Sequence, residues 1–245
     1  MAGHSKWSNI KRRKGAADDK RGKIFSKLGR ELQMAVKTGG PDPNINSTLR
    51  DAIERAKSFN MPNDSINRSI ERAAGVGNDD HFEEVFYEGY GPSGVAVMVR
   101  TLTDNRHRTA GDVRHLFDRY GGNLGTDGCV AFQFELKGVL IMERDEDTDD
   151  DRVFMDAVDA GAEDVVVIDG EAIEITMSPE SYHDVFNTLK KDQYVFAEHG
   201  IERVPITWVR LEEEIDQTNM TKLIDALEEN DDVQDVYHNW EQDDA

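Results

Sequence analysis

Between residues 136 and 210 the apolar pattern runs strand, helix, strand, strand, helix, strand, an order that few compact folds accept. Gly138 to Glu143 reads GVLIME, an apolar run of strand length, and Val153 to Asp159 follows with helical spacing. Val165 to Ile168 and Ala172 to Met177 flank Asp169-Gly170. That dipeptide is the strongest short hairpin signal, because both turn positions require positive φ. Ser178-Pro179 opens a helix to about Lys191, with proline at the favoured first position. Ile201 to Leu211 closes the series as a strand in which Pro205 marks an edge or bulge. The order βαββαβ is the ferredoxin-like arrangement.

The flanks do not close by themselves. Strands are expected at Val85–Tyr90, Val95–Thr103 and Cys129–Glu135, with a helix from about Asn105 to Tyr120 between the last two. A helix at Met220–Glu229 and a strand at Val233–Asn239 remain after the βαββαβ unit. The simplest α+β account is a split domain, residues 77–135 plus 211–245, into which the ferredoxin-like domain 136–210 is inserted. Consecutive domains with a C-terminal appendage are the alternative. Ahead of them, residues 1–76 form a basic helical domain with a flexible tail. Its three amphipathic helices carry Ile24, Leu28, Leu32, Ala35 and Val36, then Leu49, Ala52, Ile53 and Ala56, then Ile66, Ile70, Ala73 and Ala74. Gly39-Gly40-Pro41 stops the first helix, Asn46 or Ser47 caps the second, and Pro62 with Asn63 or Asp64 begins the third.

Charge divides the chain differently. Residues 1–75 carry 16 basic and 8 acidic side chains, while the rest carry 13 and 42, within a total net charge of −21. A basic head on an acidic body is the pattern of a protein that touches a polyanion with one end. Lys6, Lys11, Arg12, Arg13, Lys14, Lys20, Arg21 and Lys23 supply the charge, and Trp7 lies among them as a candidate contact. Residues 1–17 have too few apolar side chains for a core, so they are expected to order on a partner. Removing residues 1–22 should then abolish nucleic-acid affinity with little loss of stability. Arg50, Arg55, Lys57, Arg68 and Arg72 could extend the basic surface or be solvated. Arg106 and Arg108 are a second candidate. They sit at a helix N-terminus, where the dipole disfavours cations, so either an anion or nearby carboxylates such as Asp104 and Asp112 must compensate.

Other motifs carry less. Gly89-Tyr90-Gly91-Pro92-Ser93-Gly94 matches the dinucleotide fingerprint, but a strand follows it where a helix N-terminus is needed. Asp145 to Asp151 resembles the front of a calcium loop, yet Asp150 stands where the turn needs Gly. Cys129 reads as a buried small apolar residue. The loop Asn123 to Gly128 is Gly-rich and reads as flexible and able to approach a backbone closely, though hairpin geometry explains it as well. No catalytic residue, metal site, cofactor, membrane span or small-molecule substrate is indicated, and the expected location is cytoplasmic.

The stretches MAGHSKWSNIKRRKGAADDKRGKIFSKLGREL, NMPNDSINRSIERAAG, YEGYGPSGVAV, TDNRHRTAGDVRHLF and GGNLGTDG resemble the YebC family along almost the whole chain. One departure is Asp118-Arg119-Tyr120, where relatives usually carry a Lys. Without a presequence before the first motif, the chain resembles the bacterial branch. The resemblance implies three domains, the split topology, and no catalytic residue or cofactor. It also implies a gene-expression regulator: a ribosome-associated translational activator binding rRNA, or alternatively a DNA-binding transcriptional regulator. A metal-dependent nuclease is a distant third reading.

Overall fold

The computed structural model describes Trp7, Ile10 and residues 18–75 and 82–241, with the first helix's side chains described from residue 21 onward. The chain divides into two compact units, residues 16–133 with 207–241, and residues 134–206 with 1–15 and 242–245.

In the first unit, helices α1 (Asp18–Gly39), α2 (Ser47–Ser58) and α3 (Asn63–Ala74) pack around Leu28, Leu32, Val36, Leu49, Ala56 and Ile66. Asn46 caps α2 by accepting the Leu49 N–H at 3.0 Å, and its amide also donates to the Ala35 and Gly40 carbonyls. One side chain thus ends α1 and begins α2. The α+β part contains β1 (Glu83–Tyr90), β2 (Ala96–Thr103), α4 (Arg106–Arg119), β3 (Asn123–Leu124), β8 (Val209–Arg210), α7 (Glu214–Glu229), β9 (Val233–His238) and β10 (Trp240–Glu241). The antiparallel sheet has the order β3-β1-β2-β9, so β9, late in the chain, pairs directly with β2. Helices α4 and α7 bury Val113, Phe117, Met220, Leu223 and Leu227 against Val97 and Val99.

The second unit contains β4 (Phe134–Glu143), α5 (Asp150–Ala160), β5 (Asp164–Ile168), β6 (Ala172–Met177), α6 (Tyr182–Lys191) and β7 (Glu198–Pro205). Its antiparallel sheet has the ferredoxin-like order β5-β6-β4-β7. Asp169 (φ 50°) and Gly170 (φ 70°) make the hairpin turn between β5 and β6. Leu140, Ile173, Ile175 and Met177 face Val153, Ala157, Val185, Phe186 and Leu189 of the two helices.

Several sequence expectations are corrected. Of the expected strand Cys129–Glu135, only Phe134 and Glu135 are extended, as the start of β4. The buried Glu88 carboxylate accepts the N–H groups of Gly128, Val130 and Ala131, each at 2.9 Å, bending this segment into a turn and a 3₁₀ helix at Ala131–Gln133. One strand, β4, then runs unbroken from Phe134. The expected strand Ile201–Leu211 is two strands, because β7 ends at Pro205 and β8 pairs with β10 in a different sheet. Of the two readings of the Gly-rich loop, Asn123 and Leu124 follow the hairpin one, pairing as β3 with β1.

The expectation that residues 1–17 have no core fails at Trp7 and Ile10. Both are helical and buried, 5% and 2% exposed, against Val139, Ile141, Ile168 and Ala172. Those four line the face of the β4–β7 sheet opposite α5 and α6, and two large side chains three residues apart cover it as one helical face. Deleting residues 1–22 would therefore uncover a core, so the expectation of unchanged stability is withdrawn.

Candidate nucleic-acid interface

Of the sequence candidates, Lys6, Lys11, Arg12, Arg13 and Lys14 lie outside the described residues, as does the Lys20 side chain. Trp7 is not placed for base stacking. Its ring is in the sheet core, and its indole N–H donates to Glu171 Oε2 at 3.2 Å.

Arg21 and Lys23 are exposed on the first turns of α1. Lys23 Nζ lies 3.4 Å from the Glu229 carbonyl and Lys27 Nζ 2.6 Å from that of Glu228. Helix α7 has no basic residue in its own last turn, so α1 supplies cations to its C-terminal carbonyls. One turn further along α1, Arg30 donates to the Asp231 carbonyl at 2.6 Å and to Asp232 Oδ1 at 2.8 Å.

Asp232 also decides the role of Arg108. Its side chain is only 6% exposed and accepts from Arg108 at 2.7 Å, from Thr109 Oγ1 at 2.7 Å and from Thr103 Oγ1 at 3.2 Å. Burial pushes the Asp232 carboxyl up, but hydrogen bonds from Arg108, Thr109 and Arg30 outweigh it and hold the group below the ordinary value. Asp104 takes a second Arg108 contact at 2.8 Å. Arg108 is thus compensated internally, by Asp232 and Asp104 where Asp104 and Asp112 were expected. At the start of α4 the freer cation is Arg106, 61% exposed and 3.9 Å from Glu83.

A second ionic cluster claims Arg55, which the sequence allowed on the basic surface. Arg55 contacts Glu31 and Asp235, each at 3.1 Å. Arg100 meets the same two carboxylates at 2.6 and 2.8 Å and reaches Glu84 at 3.0 Å. Burial lowers the Arg100 pKa, but Asp235 and Glu31 more than reverse that. Sequence reasoning did not single out Arg114, which is exposed on α4 with His107 and Gly111. The i, i+4, i+7 spacing of those three residues was the available signal.

The remaining motifs resolve into structural roles. In the Gly-rich fingerprint, a Cβ on Gly89 would stand 2.5 Å from the Asn123 carbonyl oxygen and 2.8 Å from the Phe117 ring. This glycine lets β3 and α4 approach β1. Gly89→Ala should lower unfolding stability by about 1–3 kcal/mol, measured by urea titration, while a packing-neutral site would show no change. In the acidic loop, Asp149 caps α5 through the Arg152 N–H at 3.1 Å, and Asp150 holds the Arg144 guanidinium at 2.8 Å. Among the described residues, no group of three or more His, Cys, Asp or Glu could hold a metal ion. Cys129 is half-buried, and burial together with Glu88 pushes its thiol pKa up, away from nucleophile chemistry.

The TACO1/YebC N-terminal domain profile matches residues 5–76, and the profile of the TACO1/YebC second and third domains matches residues 82–240. The chain belongs to the TACO1/YebC family. A relative from Acetivibrio thermocellus is 54% identical over 98% of this chain and 99% of its own length. One from Ruminiclostridium cellulolyticum is 51% identical over 99% and 98%. Both are named probable transcriptional regulatory proteins. The crystal structure of a conserved hypothetical protein from Aquifex aeolicus superposes with a TM-score of 0.86 at 43% identity, covering 93% of each chain. That protein therefore shares the α+β fold described above. No helix among the described residues is long and apolar enough to cross a membrane.

Proposed function

We propose that this protein is a non-enzymatic, nucleic-acid-binding regulator of gene expression that acts on the ribosome. In this reading, the basic N-terminal segment contacts rRNA, with Arg21, Lys23 and Arg106 as auxiliary contacts. The observation that carries it is the charge polarity. Residues 76–245 hold 42 acidic against 13 basic side chains, so most of the body is repelled by any long polyanion. The ionic clusters at Asp232, Glu31 and Asp235 strengthen the case by engaging Arg30, Arg55, Arg100 and Arg108 internally. A ribosome offers RNA beside basic proteins, which suits a basic head on an acidic body better than bare duplex does. The proposal includes the three-part organisation 1–76, 77–135 with 211–245, and 136–210, a cytoplasmic location, and no cofactor. The names of the relatives support the second reading, a DNA-binding transcriptional regulator.

The test is co-sedimentation with ribosomes at physiological salt. Wild type should pellet with them, and Arg12→Glu combined with Arg13→Glu should release it. Affinity for random duplex DNA should be non-specific, roughly 10⁻⁴–10⁻⁶ M. Tight, sequence-selective promoter binding without ribosome association would replace this reading with the transcriptional one.

A further inference from the structure

The β5-β6-β4-β7 sheet has a second face that is apolar at its centre and acidic around it. Alternate residues of a strand point to opposite sides, so the register places Glu174 and Glu198 on either side of Ile141 on this face. Glu202 stands across from Lys137 in the same layer, and Glu171 follows the β5–β6 turn. Glu174 and Glu198 are only 6% and 5% exposed, and Glu171, Glu174, Glu198 and Glu202 are all engaged in polar or electrostatic interactions. Seated on the apolar centre are Trp7 and Ile10, with the Trp7 indole held by Glu171. In sequence these two anchors are bracketed by Lys6 on one side and Lys11, Arg12, Arg13 and Lys14 on the other.

We propose that this face is an internal dock for the basic N-terminal segment, and that a nucleic-acid backbone must draw the segment off it to bind. The inference rests on the reading of that segment as the nucleic-acid contact. Its physical basis is competition for one set of cations. Carboxylates around the anchor attract the lysines and arginines that phosphates would use, and the same carboxylates repel phosphate. While the segment is docked, the apparent affinity falls by the fraction of molecules in which it is free. The apolar anchors set that fraction, because undocking returns Trp7 and Ile10 to water.

The test uses the full chain and a short fluorescent RNA of mixed sequence, read by anisotropy. Glu174→Gln with Glu198→Gln weakens the electrostatic half of the dock, and Trp7→Ala the apolar half. Both variants should bind the RNA roughly tenfold tighter than wild type. The same change of charge at Glu146 and Asp147, on the exposed acidic loop, should alter affinity less than about twofold. Trp7 emission, isolated as the difference between wild type and Trp7→Phe, should shift to the red as RNA is added. If neither variant binds more tightly while Arg12→Glu with Arg13→Glu still abolishes binding, the dock is refuted and the nucleic-acid reading stands. If that charge reversal leaves RNA binding intact, the nucleic-acid reading fails and the dock with it.

Discussion

Asp232→Ala is expected to destabilise the first unit by about 2–4 kcal/mol, because it removes the one carboxylate on which four donors converge. Arg30 and Arg108 lose their shared anion, and the hydroxyls of Thr103 and Thr109 lose theirs. Arg30 is 22% exposed and regains little water, whereas Arg108, at 46%, is partly relieved by solvent and by Asp104. That relief places the expected loss below the upper end for a fully buried pair. Asp104→Ala is the internal comparison. Its carboxylate is 55% exposed, so its removal should cost at most about 1 kcal/mol. Urea unfolding of both variants decides the matter, and equal losses would show that Asp232 is not the hub. The lowered Asp232 carboxyl adds a sign. Its contribution is present above the unfolded carboxylate range near pH 4 and is lost as pH falls through the folded value.

Stability should also fall as the medium is acidified from pH 7 to pH 5, ahead of most carboxylate protonation, because of His238. The ring is buried at 5% exposure, and burial pushes its pKa down to about 4. Its Nδ1 accepts the Trp240 N–H at 3.3 Å, a role that only the neutral ring can fill. The folded pKa lies below the unfolded one, so the unfolded chain binds the extra proton between them. The stabilisation is complete above about pH 6.5 and declines toward pH 4, by about 2 kcal/mol at pH 5 and about 3 kcal/mol at the lower limit. Urea midpoints at pH 7 and pH 5 should differ accordingly for wild type, and His238→Gln should flatten the difference. An unchanged slope in that variant would assign the acid sensitivity to another group.

Local features carried much of the fold in legible form. The Asp169-Gly170 turn, the cap at Asn46 and the helical stripes of α1 to α3 each rest on contacts within a few residues. One helix and one strand left over after the βαββαβ unit were legible as well, but that the strand pairs with β2 came only from the tertiary structure. What misled were places where a distant side chain overrode local preference. The run Cys129–Glu135 has strand composition, but the Glu88 carboxylate collects its N–H groups from 42 and 43 positions away and bends it.

The candidate interface divides along the same line. The sequence alone determined where positive charge is concentrated, because net charge along a chain needs no coordinates, and it placed Arg106 and Arg108 at a helix start through local periodicity. Only the tertiary structure decided which of those charges are already used. Asp232 lies 124 positions from Arg108 and 202 from Arg30, and Glu171 lies 164 from Trp7. Period and composition show that a face is apolar or a residue charged, but not what it meets. Trp7 therefore read as a candidate nucleic-acid contact, and the fold instead made it a cover for the sheet face opposite α5 and α6.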